Sequence, residues 1–211
     1  MHLLSSFELT TLIEILGTFA FALSGIRWAS VKNFDWFGAY IIGLVTAIGG
    51  GSLRDVLLDV SPFWMNEPSY LVITLVALVV FLFFSRQLTK FKHTLFLFDA
   101  IGLGLFVVVG IEKTLQAGFD FWVAIAMGAI TGSFGGVLRD VLINETPLIF
   151  REDIYASACV AGGVVYWLSF SVFQFSDSIT ALAAALTIIT IRIAAVKWHW
   201  HFPTIRQDKA M

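Results

Sequence analysis

Apolar residues run through this chain in seven stretches, separated by brief polar connections. The stretches cover roughly 8–27, 36–59, 69–85, 95–111, 121–144, 153–173 and 178–197. A transmembrane helix takes about 20 mostly apolar residues. The pattern therefore predicts an all-α polytopic membrane protein with seven transmembrane helices. The first stretch also has the form of a secretory leader, because Ala20-Phe21-Ala22 follows an apolar run. Glu8 and Glu14 interrupt that run, no Lys or Arg precedes it, and the segment recurs internally from Leu95. A membrane-spanning helix is the better reading.

The chain repeats itself with a constant shift of 85 residues. Gly50-Gly51-Ser52-Leu53-Arg54-Asp55-Val56-Leu57 returns as Gly135-Gly136-Val137-Leu138-Arg139-Asp140-Val141-Leu142. Without a gap, Gly17 pairs with Gly102, Gly25 with Gly110, Pro62 with Pro147, Glu67 with Glu152 and Tyr70 with Tyr155. Glu14 finds Asp99. The first repeat occupies about 8–85 and the second about 93–173, leaving the seventh helix, about 178–197, outside both. Together they make a single membrane domain over 1–211. Three spans per copy is an odd number, so the second copy must enter the membrane from the opposite face. Two inverted three-helix repeats are a signature of membrane transport folds.

Composition agrees. Of 211 residues, 58% are hydrophobic and only 13% charged, against about a quarter charged in soluble domains. A net charge of −2 indicates no nucleic-acid partner. One cysteine, Cys159, excludes an intramolecular disulfide. The loop cations set the orientation. Arg27, Lys32, Arg86, Lys90, Lys92, Arg151, Lys197, Arg206 and Lys209 fall on one side, and only Lys113 on the other. This places the N-terminus outside and the C-terminus in the cytoplasm.

The unusual chemistry sits in spans two and five. Gly49, Gly50, Gly51 and Ser52 precede Arg54 and Asp55; Thr131, Gly132, Ser133, Gly135 and Gly136 precede Arg139 and Asp140. Consecutive glycines weaken a helix by about 1 kcal/mol each relative to Ala. Broken helices at membrane depth line protein or water, so the glycines predict a break facing a cavity. Small residues spaced by four, as in Gly43-Ala47-Gly51 and Gly128-Gly132-Gly136, fit close helix packing as well. Ionisable groups inside a span cost about 2.5–3.5 kcal/mol each, so they pair or face water. Neighbours on a helix diverge by about 100 degrees. Crossed pairs are therefore expected, Arg54 with Asp140 and Arg139 with Asp55. Glu14 and Asp99 are the alternative partners, and snorkelling to the headgroups is a further outcome. Thr46, Ser52, Thr131 and Ser133 are candidate hydroxyl ligands, or are back-bonded to their own helices. Arg192 near the end of span seven reads as snorkelling. His199 and His201, alternating with Trp198 and Trp200, read as an interfacial belt rather than a metal site. No metal-ligand cluster, nucleophile triad or phosphate-binding loop appears. Neither an enzyme nor a cofactor is expected.

The paired Gly-Gly-x-Leu-Arg-Asp-Val-Leu blocks and the three-plus-three-plus-one layout resemble the prokaryotic branch of the trimeric intracellular cation (TRIC) channels. The likeness covers about residues 7–198. It implies a homotrimer in a bacterial inner membrane, each subunit with its own pore, and spans two and five bent at their glycines. It also implies permeation of monovalent cations, chiefly K+, with Na+ tolerated and membrane lipid around the trimer. The pore or gating candidates are then Glu14, Gly49, Gly50, Gly51, Ser52, Arg54, Asp55, Asp99, Thr131, Gly132, Ser133, Gly135, Gly136, Arg139 and Asp140. Such sequences are also candidate glycine transporters, which makes a carrier of a small amino acid the alternative. A membrane structural protein with no pore is a third class.

Overall fold

A computed structural model describes residues 2–90, 94–152 and 154–200. Lys92, His201, Arg206 and Lys209 lie outside the described residues. The helices are α1 (His2–Val31), α2 (Trp36–Leu57), α3 (Phe63–Asn66), α4 (Ser69–Lys90), α5 (Thr94–Gln116), α6 (Phe121–Leu142), α7 (Ala156–Trp167) and α8 (Asp177–Lys197). The last turns of α7 continue as a π-helix to Val172, and a 3-10 turn spans Leu148–Phe150. Among the described residues there is no strand.

Local chemistry sets the helix ends. Asp35 caps α2 by accepting from the Gly38 amide at 2.7 Å. At the other end Asp59 turns left-handed at φ 56°, and after α6 Asn144 does the same at φ 58°. Asp and Asn tolerate that conformation better than other side chains. Pro62 and Pro147 then start α3 and the 3-10 turn.

Five helices are long and apolar enough to cross a membrane: α1, α2, α4, α6 and α8. The apolar stretch Ala156–Val172 is shorter, and α5 carries Asp99, Glu112 and Lys113. The short α3 takes no part in any span of the sequence pattern.

Four helices make the centre. α1 packs on α2 and α5, α5 on α6, and α2 crosses α6. α4 lies against α1 and α2, while α7 lies against α5 and α6. Residues related by the 85-residue shift make reciprocal contacts. Gly17 faces the Phe106 ring and Gly102 faces Phe21. Those two rings stack with centroids 5.4 Å apart. Gly25 abuts Thr46 and Gly43, and Gly110 abuts Thr131 and Gly128. Reciprocity of this kind is what a two-fold relation produces. α8 breaks it, packing on α5 and α7.

Candidate functional site

The glycine segments do not break. Both α2 and α6 run as uninterrupted α-helix through their glycines, which corrects the expected break facing a cavity. The glycines serve the crossing of the two helices instead. A Cβ on Gly50 would collide with the Thr131 carbonyl oxygen, and one on Gly135 with the Thr46 carbonyl oxygen. No side chain fits where backbone meets backbone, so only glycine permits this approach. Gly49 lies under Leu138, Gly51 under the Phe63 ring, and Gly132 under Val107 and Leu103. Gly136 lies beside the Tyr155 hydroxyl, Arg139 and Asp99.

The hydroxyl candidates bond back to their own helices. Thr46 donates to the Ile42 carbonyl at 2.6 Å and Thr131 to Met127 at 2.7 Å. Ser52 donates to Ile48 at 2.8 Å and Ser133 to Ala129 at 2.7 Å. Ser52 also accepts from the Trp64 indole at 2.9 Å.

The crossed ion pairs are absent. Arg54 donates from Nε and Nη2 to Oδ1 of its own neighbour Asp55, at 2.8 and 2.6 Å. Arg139 Nε donates to Asp140 Oδ1 at 2.8 Å. The long arginine stem spans the angular gap that separates adjacent residues on a helix. Each aspartate also holds the returning loop. Asp55 Oδ2 accepts the Phe63 amide at 2.8 Å, and Asp140 Oδ2 the Leu148 amide at 3.2 Å. The repeated Arg-Asp pair therefore ties each helix end to the chain eight residues on.

Beyond that shared clasp the two copies diverge. Arg139 Nη1 bonds Asp99 Oδ1 at 2.6 Å and Ser24 Oγ at 2.8 Å, so the alternative partner Asp99 is the one used. Glu14, its counterpart, turns away from Arg54. It accepts from the Tyr70 hydroxyl at 3.0 Å and pairs with Lys113. Arg54 and Arg139 are fully buried, and Arg192 is too, its Nη1 donating to the Ile154 carbonyl at 2.8 Å. None of the three snorkels. Trp198 and Trp200 pack together with ring centroids 5.5 Å apart.

Glu14, Tyr70 and Lys113 belong to a cavity of about 820 Å³ at the end of the bundle where α1 begins and α5 finishes. Its wall carries four carboxylates, Glu14, Glu67, Glu112 and Asp177, against one cation, Lys113. Thr10 donates to Glu112 at 2.9 Å. Lys113 also sits 5.5 Å above the centre of the Phe63 ring. Sequence reasoning singled out only Glu14 here. The signal it missed is the disagreement between the copies: Glu112 and Lys113 stand where the first repeat has Arg27 and Trp28. Asp177 lies outside the repeat altogether.

Comparisons with known proteins agree with this architecture. A family profile described as "Glycine transporter" matches twice, over residues 11–86 and 96–171. The UPF0126 inner membrane protein YadS of Escherichia coli K12 is 38% identical over 199 residues, covering 93% of this chain and 96% of its own. The UPF0126 membrane protein YvgT of Bacillus subtilis is 31% identical, covering 91% and 94%. Among solved structures, the TRIC trimeric intracellular cation channel orthologue from Rhodobacter sphaeroides is similar at TM-score 0.84 and 35% identity, covering 90% of this chain and 98% of that one. A second TRIC cation channel structure matches at TM-score 0.83 and 31% identity, covering 95% and 98%. With likenesses running over nearly its whole length, this multi-pass bacterial membrane protein belongs to the prokaryotic TRIC channel family, alongside relatives that carry the UPF0126 name.

Proposed function

We propose that the protein is a monovalent cation channel, permeable to K+ and Na+, and not an enzyme. It works as a homotrimer with one conduction path per subunit. Seven helices cross the membrane: α1, α2, α4, α5, α6, α7 and α8. The first three and the next three form inverted copies over about 8–85 and 93–173, and α8 completes a single domain. The reciprocal glycine and phenylalanine contacts support that inversion. The cation bias of the loops supports an outer N-terminus and a cytoplasmic C-terminus.

The observation that carries the reading is the acidic cavity. A cleft lined by one sign of charge in low-dielectric walls concentrates counter-ions at its mouth. Four carboxylates against one ammonium favour cations. From there the path runs between α1, α2, α5 and α6, past Glu14, to the crossing of Gly49, Gly50, Gly51, Gly132, Gly135 and Gly136, where backbone meets backbone; the two helices are closed on each other here and part when ions pass. Ser52, Thr131 and Ser133 keep lone pairs that could replace part of an ion's hydration shell. Arg54, Asp55, Asp99, Arg139 and Asp140 govern opening at the helix ends.

The description of the matching profile favours one second reading, a glycine carrier. Proteoliposomes separate the two. A channel passes K+ passively down its gradient, without saturation and regardless of glycine. Saturable, ion-coupled glycine uptake with no K+ flux would overturn the proposal.

A further inference from the structure

Tyr70 and Tyr155 occupy equivalent positions in the two copies, yet they behave differently. Tyr70 donates its hydroxyl to Glu14 at 3.0 Å. The Tyr155 hydroxyl is buried and has no hydrogen-bond partner among the described residues. Its equivalent acceptor is Asp99, whose Oδ2 is also buried and unpartnered. The two groups are near one another. A Cβ placed on Gly136 would lie 3.0 Å from the Tyr155 hydroxyl and 3.7 Å from Asp99 Oδ1. Arg139 Nη2, likewise unpartnered, lies 3.6 Å from the same point, and buried donors and acceptors left unpaired around one spot are a costly arrangement. The first copy displays the relaxed alternative.

What holds Tyr155 back comes from outside the repeat. Arg192 on α8 lays its guanidinium 4.7 Å from the centre of the Tyr155 ring and 4.7 Å from that of Phe96. It is 1% exposed, and among the described residues no carboxylate lies within ion-pair distance of it. Its Nε has no partner either. A buried cation is rarely left without a counter-charge. This one is held by two rings and the Ile154 carbonyl. Among the described residues Tyr70 meets no such cation on its face; it packs edge-on against Phe63 with ring centroids 4.4 Å apart.

We propose that Arg192 is a clamp that holds Tyr155 short of Asp99 and keeps this end of the conduction path shut. On release, the Tyr155 hydroxyl donates to Asp99 as Tyr70 donates to Glu14. That hydrogen bond fills the vacant Asp99 Oδ2, draws the carboxylate toward α7 and strains its Oδ1 pair with Arg139, the tie between α5 and α6. Arg192 is a positioning residue, acting through Tyr155. α8 packs against the second copy and has no counterpart at the first, so one end of the protein carries the clamp.

The gating half of this inference rests on the channel reading above; the movement of Tyr155 does not. The test therefore uses two readouts on the full-length reconstituted protein. One is open probability in planar bilayers. The other is the rate at which a small methanethiosulfonate reagent labels Cys159, the single cysteine, which is buried one turn beyond Tyr155. Arg192→Leu is expected to raise open probability by about tenfold, a typical coupling between distinct groups. Unitary conductance should stay unchanged, and Cys159 labelling should quicken. Adding Tyr155→Phe, which removes the hydroxyl, should return both readouts to their original values. Simple loosening of the core would not be reversed in that way. Phe96→Leu removes one of the two rings while keeping the arginine, and serves where Arg192→Leu fails to fold; it should shift both readouts in the same direction by less. Unchanged labelling and open probability in the folded variants, or no reversal by Tyr155→Phe, would overturn the clamp. Currents that ignore Arg192 would leave the channel standing without it. Labelling that follows Arg192 in a protein with no current would leave the clamp standing without the channel.

Discussion

Adding one methyl group at Gly50 probes the helix crossing directly. In a helix Ala is favoured over Gly by about 1 kcal/mol, so Gly50→Ala would stabilise α2 in isolation. In the fold, the new Cβ falls on the carbonyl oxygen of Thr131. That neighbour is backbone and cannot rotate aside, so α2 and α6 must separate. Overpacking of this kind costs about 1–3 kcal/mol, occasionally more. The upper part of that range applies, leaving a net loss of about 2 kcal/mol. For a chain of this size that is a fall in Tm of roughly 4–8 °C. Gly49→Ala is the internal control. Its Cβ meets Leu138 Cδ1 at 2.6 Å, the far end of a side chain that can turn away. Propensity and repacking then nearly cancel. Gly50→Ala combined with Gly135→Ala should lose less than the sum of the single changes, because helices already parted by one methyl accommodate the other. Thermal unfolding in detergent reads the parent protein and the four variants. Equal midpoints for Gly49→Ala and Gly50→Ala would refute the crossing.

Three further outcomes follow from the charged groups. Asp99→Asn leaves the buried Arg139 with only Asp140 as counter-charge and should cost about 3 kcal/mol, the low end for breaking a buried pair, read by the same unfolding assay. Arg54→Ala should couple to Asp55→Ala by about 1 kcal/mol or more in a double-mutant cycle and show no coupling to Asp140→Ala. Lys32 bonds Glu145 at 2.7 Å across two loops and holds its carboxyl below the usual carboxylate range. A lowered folded-state pKa means that this tie is present above the ordinary carboxylate range and lost as pH falls through the folded value. The difference in midpoint between the protein and Glu145→Gln should therefore shrink on acidification.

The helices were legible because apolar runs bounded by Pro62, Pro147 and short polar loops leave little choice in lipid. The 85-residue repeat was legible too, but it favoured crossed pairs, and Asp99 entered only as an alternative partner beside Glu14. The glycines signalled two things at once, a break or a close contact. Nothing in one segment alone reveals that Gly50 will meet a carbonyl on another helix. The clasp of Arg54 by Asp55 was missed because the angle between neighbours on a helix was given more weight than the reach of an arginine. The cavity was hidden for a different reason. Its wall joins Glu14, Glu67, Glu112 and Asp177, scattered over most of the chain and gathered only by tertiary packing. Arg192 looked like a snorkelling residue because its distance from the helix end is visible in sequence and the rings of Phe96 and Tyr155 around it are not.

Reversal potentials of single channels in a KCl gradient address the central claim most directly. Conduction through an acidic mouth predicts reversal close to the K+ equilibrium potential, moving toward zero when Glu67 and Glu112 are replaced together by Gln. Reversal at the chloride potential, or a value that ignores both carboxylates, would contradict the account.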